Sequence, residues 1–434
     1  MTEADLTDRP ASDALAALAA EAWDSQMAAH PVRATALGDR RFDDRLRANG
    51  AHALVADAAR LGALGERVAS EPTDLGPADL LTWSTLGDFL RFELDVVEAG
   101  LEAWMVDPLD GPQVAYLNVP SFQLVRTVVE GEALVARWRE MGPWLDRLTA
   151  TTRDALARGV ASPAALVRAV VGELDDLLDR PTDDWPLVEK ARAVPAEWAG
   201  GRRRAHADAV RAAVSDGIRP AFERYRAFLV DELAPVARGD DRPGLSHVPG
   251  GDDAYGRLVH SHTTMDLTPD AIHRIGLEET ARIDAEFRDL GGRLLGTTDL
   301  ATVLDRLRSD ASLHFATSAE VHGTAEASLA RANAAVPGWF GRLPKAPCVV
   351  VEMGAHEATH STIAYYREPA ADGSRPGSYY INTTAPGTRP RYEAETLAFH
   401  EAVPGHHLQI TIAQELDGLP AFRRLAGPTA YVEG

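Results

Sequence analysis

A single cysteine, Cys348, occurs in 434 residues. No disulfide can form within the chain, and a reducing compartment is the simpler setting. Lysine is almost as scarce: Lys190 and Lys345 are the two, and arginine supplies the other cations. Acidic residues number 65 against 44 Lys and Arg, a formal net charge of −21. That excess argues against general attraction to nucleic acid or to an anionic membrane surface. There is no uncharged apolar run of the ~18 residues that a membrane-spanning helix needs. The opening residues, MTEADLTDRP, are acidic and lack an apolar stretch, so no secretory signal is expected. These absences lead to the expectation of a soluble, cytoplasmic protein with no nucleic-acid and no membrane partner. They leave the oligomeric state open.

What is present is ordinary for a globular chain, 45% hydrophobic and 25% charged, and long enough to bury a large core. Helix-period apolar residues run over 12–29, where Ser12 is the expected cap, and stop before His30–Pro31. Further helical patterns cover 46–71, 77–104, 127–158, 163–180 and 194–236. Residues 107–120 read as a Pro/Gly-bearing loop, and 239–253 as a linker. Thr268–Pro269 opens another helix, with Thr268 as N-cap and Pro269 in the first turn. Helices continue near 298–308 and 318–336. From residue 345 the texture changes: CVVVEM, STIAYY and GSYYINT are short, β-branched and aromatic, and read as a small sheet. The fold class is therefore mainly α (α+β), a large multi-helix fold with a small β-sheet preceding the histidine helix. Residues 1–240 form a helical N-terminal region. Residues 241–434 hold the sheet (345–384) and the histidine helix (390–417), either as a second region or as part of one two-lobed unit.

Chemistry concentrates in Tyr392–Ile410, YEAETLAFHEAVPGHHLQI. His400 and Glu401 are adjacent, and His406 and His407 follow. Neutral imidazoles hold zinc, and a neighbouring carboxylate can act on its water. The spacing departs from HExxH, in which the histidines share one helix face at i and i+4; here that position is Pro404. On an unbroken helix His406 would lie about 240° around from His400, and His407 roughly 10.5 Å further along the axis. Neither is a partner ligand in that geometry. If Pro404–Gly405 forms a kink that absorbs two residues, His406 falls where i+4 would have been, with His407 as the alternative. Without such a kink, the stretch is a helix, a turn and exposed histidines.

The run AYYREPAADGSRPGSYYINTTAPGTRPRYEAETLAFHEAVPGHHLQ resembles the bacterial "domain of unknown function 885" family. So do HPVRATALGDRRFDDRL, LVHSHTTMDLTPDAIHRIGLEE and the closing AYVEG. That family is grouped by resemblance with HExxH-type peptidases. The resemblance implies a metallopeptidase-like helical fold with His400 and His406 (or His407) as zinc ligands, Glu433 of AYVEG as the third ligand, and Glu401 as the base. Family members continue past AYVEG, whereas this sequence stops at Gly434, so the region is expected to be incomplete at its C-terminus.

The expected function is a zinc-dependent peptidase or amidohydrolase acting on a peptide or other amide, with Glu401 taking the proton of a zinc-bound water. The oxyanion needs a further donor. Tyr366, Arg375 and the histidine left free of metal, His407, are the candidates chosen from a set that includes Tyr365, Tyr379 and Tyr380. Asn382 and Arg391 either orient substrate or fix a turn. A literal HExxH, His356–Glu357–Ala358–Thr359–His360, lies between two strand-like runs and is expected to be a loop. Its threonines are poor helix formers, and no glutamate follows at the usual third-ligand distance. The alternative function is a non-catalytic helical binding or scaffold protein, or an inactive fragment that retains the signature.

Overall fold

The protein was analysed as a computed structural model that describes residues 13–70, 75–354, 357–359 and 361–434. The Ser12 cap, His356 and His360 lie outside the described residues. The architecture is mainly helical with one three-stranded sheet. Helices α1 (Asp13–Ala29), α2 (Pro31–Leu37), α3 (Ala51–Ala69), α4 (Pro77–Ala99) and α5 (Pro112–Asn118) come first. They are followed by α6 (Val128–Ala157), α7 (Ala164–Leu178), α8 (Pro186–Glu189), α9 (Gly200–Ala212) and α10 (Arg219–Phe228). Next are α11 (Gly251–Thr263), α12 (Pro269–Leu294), α13 (Leu300–Ser309) and α14 (Ser318–Ala335). Strands β1 (Cys348–Glu352), β2 (Ala364–Arg367) and β3 (Gly377–Ile381) precede α15 (Arg391–Glu401), α16 (His406–Gln414), α17 (Ala421–Leu425) and α18 (Thr429–Glu433).

Several starts have the capping chemistry the sequence advertises. Thr127 and Glu130 form a reciprocal capping box at α6, and the Thr268 hydroxyl accepts from the Ala271 N–H at α12. Two expectations needed correction. Residues 107–120 contain α5, because Pro112 fits a first helical turn and Gln113, Tyr116 and Leu117 have a core to enter. The presumed linker at 239–253 already contains the first turn of α11. His30–Pro31 joins two helices: Pro31 begins α2 at once, and Gly38, at φ 95°, ends it in the left-handed conformation.

Three large apolar clusters organise the molecule. One gathers Trp138, Trp185 and Phe222 from the middle helices. A second joins Leu15, Leu61, Leu86 and Phe89 of α1, α3 and α4 with Phe422 of α17, so a segment close to the end of the chain completes the core of its beginning. The third packs Ala398, Ala402, Val403 and Leu408 against Tyr379 and Ile381 of β3 and against α14. The sheet order is β1-β3-β2, with β3 parallel to β1 and antiparallel to β2.

Between these clusters, Arg137 of α6 is fully buried. Its Nε donates to the Arg45 carbonyl at 2.8 Å, and Nη2 donates to Phe42 O at 2.7 Å and Thr35 Oγ1 at 2.9 Å. Nη1 donates to Gln123 Oε1. Burial pushes its pKa down to about 10, against the opposing attraction of Asp43. One guanidinium thus satisfies the irregular chain between α2 and α3, which has few backbone partners of its own. Arg137→Met keeps the length but takes the donor away from Arg45 O and from buried Gln123 Oε1. It is expected to cost about 3 kcal/mol, read as a lower midpoint in chemical denaturation at unchanged slope.

Candidate metal centre

Helix α15 is placed by its inner face. Ala398 is fully buried in the third cluster, and Glu401, three residues on, lies beneath the same face at 9% exposure. His400, two residues after Ala398, is directed outward with its side chain 46% exposed. The helix ends at Glu401, and a tight turn over 402–405 follows before α16 restarts at His406. In this turn the Gly405 N–H donates to Phe399 O at 2.8 Å and the His407 N–H to Ala402 O at 2.9 Å. A Cβ on Gly405 would lie 2.0 Å from the His400 carbonyl oxygen and 2.4 Å from that of Phe399, so only glycine fits. The Val403–Pro404 peptide is cis.

The turn shortens the path between the histidines. Their ring centroids are 4.5 Å apart at an interplanar angle of 66°. Helix α18 adds Glu433, whose Oε2 is 3.4 Å from His400 Nε2 and whose Oε1 is 3.7 Å from His406 Nε2. One ligand atom from each of the three residues lies within 4.8 Å of the others, the one such group among the described residues. Donors around a tetrahedral ion with bonds of 2.0–2.1 Å are about 3.3 Å apart. The nitrogen and oxygen donor set and its spacing therefore fit a zinc-like ion with small adjustments. His406, its side chain 11% exposed, anchors the group, while His400 and Glu433 face solvent.

Glu401 lies next to this group without belonging to it. Burial raises its pKa, and the Glu433 charge adds to the rise; the His400 charge and a hydrogen bond from the Tyr366 backbone oppose it. No side-chain pattern advertises a backbone donor, and this contact was not foreseen from the sequence.

The other expected site residues are engaged elsewhere. His407 is 1% exposed; its Nε2 lies 3.0 Å from Ala346 O, and its Nδ1 is 3.0 Å from the Tyr366 hydroxyl. The carbonyl requires an N–H at Nε2, so Nδ1 accepts from the phenol. Gly377 makes room for the pair: a Cβ there would be 2.5 Å from His407 Nδ1. Arg375 donates to Ala36 O at 3.1 Å and ties the β2–β3 loop to α2. Tyr365 stacks on Tyr380 at 4.6 Å. Arg391 is held by His314 O at 2.8 Å and by Glu320, and Asn382 donates to Ala358 O at 2.6 Å. Glu357 of the literal HExxH is buried in a turn and accepts from Asn118 at 2.9 Å.

Gly405→Ala is expected to destabilise the turn by about 2–4 kcal/mol and to separate the two histidines. Zinc titration of the folded variant should then show affinity lowered at least tenfold, while Gly387→Ala, in open space, should leave it unchanged.

No helix among the described residues is long and apolar enough to cross a membrane. No curated protein matches the chain. Solved structures share its fold. A "putative lipoprotein" from Colwellia psychrerythraea superimposes with a TM-score of 0.84 at 21% identity, covering 96% of this chain and 75% of that one. A "putative lipoprotein of unknown function" from Shewanella oneidensis does so with a TM-score of 0.60 at 13% identity, covering 96% of this chain and 76% of that one. The family described as "Bacterial protein of unknown function (DUF885)" matches residues 31–434, and the chain belongs to that family.

Proposed function

We propose that this protein is a metal-dependent hydrolase, a peptidase or amidohydrolase. The observation that carries this reading is the convergence of His400, His406 and Glu433 within 4.8 Å, with Glu401 next to His400 at the end of α15. A divalent ion of zinc type, when bound there, supplies a Lewis acid for an amide carbonyl and makes water a stronger acid. The protein's own residues do the rest. His400, His406 and Glu433 would hold the ion. Glu401 receives the proton of the attacking water and returns it to the departing amine. Its burial favours that exchange, because a carboxylate of raised pKa accepts a proton more readily. His407 and Tyr366 act on one another and hold α16 to β2, which positions His406.

A second reading is a metal-holding protein without hydrolysis. It is favoured by the commitment of His407, Tyr366 and Arg375 to acceptors or donors within the protein, which leaves the oxyanion without an evident side-chain donor.

Metal content by mass spectrometry and hydrolysis of a peptide library separate the two. Glu401→Gln keeps size and polarity but removes the base. It is expected to retain about one zinc per chain and to lose hydrolysis by ~10²–10⁴-fold. Glu433→Ala removes a charged donor and should weaken zinc binding itself. Hydrolysis by Glu401→Gln at the parent rate would eliminate the mechanism. Stoichiometric zinc without turnover of any peptide would establish the second reading.

A further inference from the structure

Helix α18 also borders a cleft of ≈ 600 Å³. That is within the range of small-ligand sites, ~300–1,000 Å³. Phe89 and Phe92 of α4, Phe422 of α17 and Tyr431 of α18 give it an aromatic part beside polar residues. Phe89 and Phe422 pack with ring centroids 5.6 Å apart. Tyr431 and Glu433 are two residues apart on a helix and so project roughly 200° from one another. The cleft and the histidine group thus share one short helix, through Tyr431 and Glu433.

Among these rings stands Arg423. It is half-buried, and burial pushes its pKa down from the ordinary value. Its Nη1 donates to the Thr82 hydroxyl at 3.0 Å, a neutral acceptor, and no described carboxylate lies within ion-pair distance. A guanidinium has five N–H donors in a planar fork suited to a carboxylate. The other charges of the cleft do not serve it. Glu93 pairs with Arg33 at 3.6 Å, and Asp88 is exposed to water. His262 Nδ1 is hydrogen-bonded to Thr429 at 2.8 Å. The cleft thus offers an apolar, aromatic surface and a cation without a counter-ion.

We propose that this cleft receives the carboxy-terminal end of a peptide, its free α-carboxylate on the Arg423 guanidinium and its last side chain, apolar or aromatic, against Phe89, Phe92, Phe422 and Tyr431. The proposal rests on the hydrolase reading above, and it narrows the substrate to peptides with a free C-terminus. A free amino terminus would meet Arg423 as a like charge. An uncharged apolar ligand would bury the guanidinium further without a partner, at a desolvation cost.

The test is calorimetric and does not need turnover. N-acetyl-phenylalanine and its amide are titrated into the full chain after EDTA treatment, so the histidine group cannot attract the carboxylate through a metal. The acid is expected to bind at least about tenfold more tightly than the amide. Arg423→Met should abolish that preference, and Arg423→Lys should keep part of it, as a point charge replaces a bidentate fork. Equal binding of acid and amide by the parent chain, or no binding of either at millimolar concentration, overturns the proposal even if the variants do not fold. So does an intact preference in folded Arg423→Met. Selective acid binding without hydrolysis of any peptide leaves the cleft standing and removes the hydrolase reading instead.

Discussion

A methyl group at residue 405 would have to occupy space already held by two carbonyl oxygens, those of Phe399 and His400, the nearer 2.0 Å away. Because glycine has no such group, the chain can fold back over the last turn of α15 and bond its own N–H to Phe399 O. Six residues separate His400 from His406, yet their rings come within 4.5 Å. In a continuous helix they would point in different directions. The position of His406, the burial of His407 one residue later and the contact of α16 with β2 all depend on this reversal. The turn also ends α15 at Glu401, so the carboxylate is presented at a helix terminus beside the histidine group rather than along a shaft.

The burial around that turn divides the labour between neighbours. Ala398 and Glu401 share the inner face of α15, and Ala402 and Val403 continue into the same apolar cluster. Glu401 is therefore a polar group placed where an apolar one would pack, and its raised pKa follows from that placement. His407 is also placed in the interior, but there both ring nitrogens are met, by Ala346 O and Tyr366. Two polar side chains in similar surroundings thus differ in what is left for chemistry. One is satisfied by the protein on both sides. The other keeps carboxylate capacity facing the histidines.

Much of the helical framework was legible because local and tertiary signals agree there. Thr127, Thr268 and Pro77 mark helix starts that the structure keeps, and the three β-rich runs pair as one sheet. The short helices α2, α5 and α11 were not, since glycines and prolines read as turns when the buried partners of Gln113 or Val259 are unknown. The histidine motif announced its residue types but left His406 and His407 as alternatives. A choice between them needs the φ and ψ of residues 402–405, and a proline–glycine pair permits many. The pairing of Tyr366 with His407, and the wall that Phe422 shares with Phe89, join residues far apart in the chain and leave no local trace.

Phe422 has a further consequence. Helix α17 is seated in the core of α1, α3 and α4, and α18 leans on α11, which itself packs on α4 through His260 and Asp95 at 2.8 Å. Glu433 therefore reaches the histidines as part of a segment docked on the first hundred residues, whereas His400 and His406 belong to the cluster built on the sheet. The local concentration of its carboxylate near the two imidazoles is set by that docking and not by the short tether from α16. Chelation at this group would then be a property of the assembled halves. Loosening α1 from α4 lowers the effective molarity of the third donor while leaving each of the three side chains chemically intact.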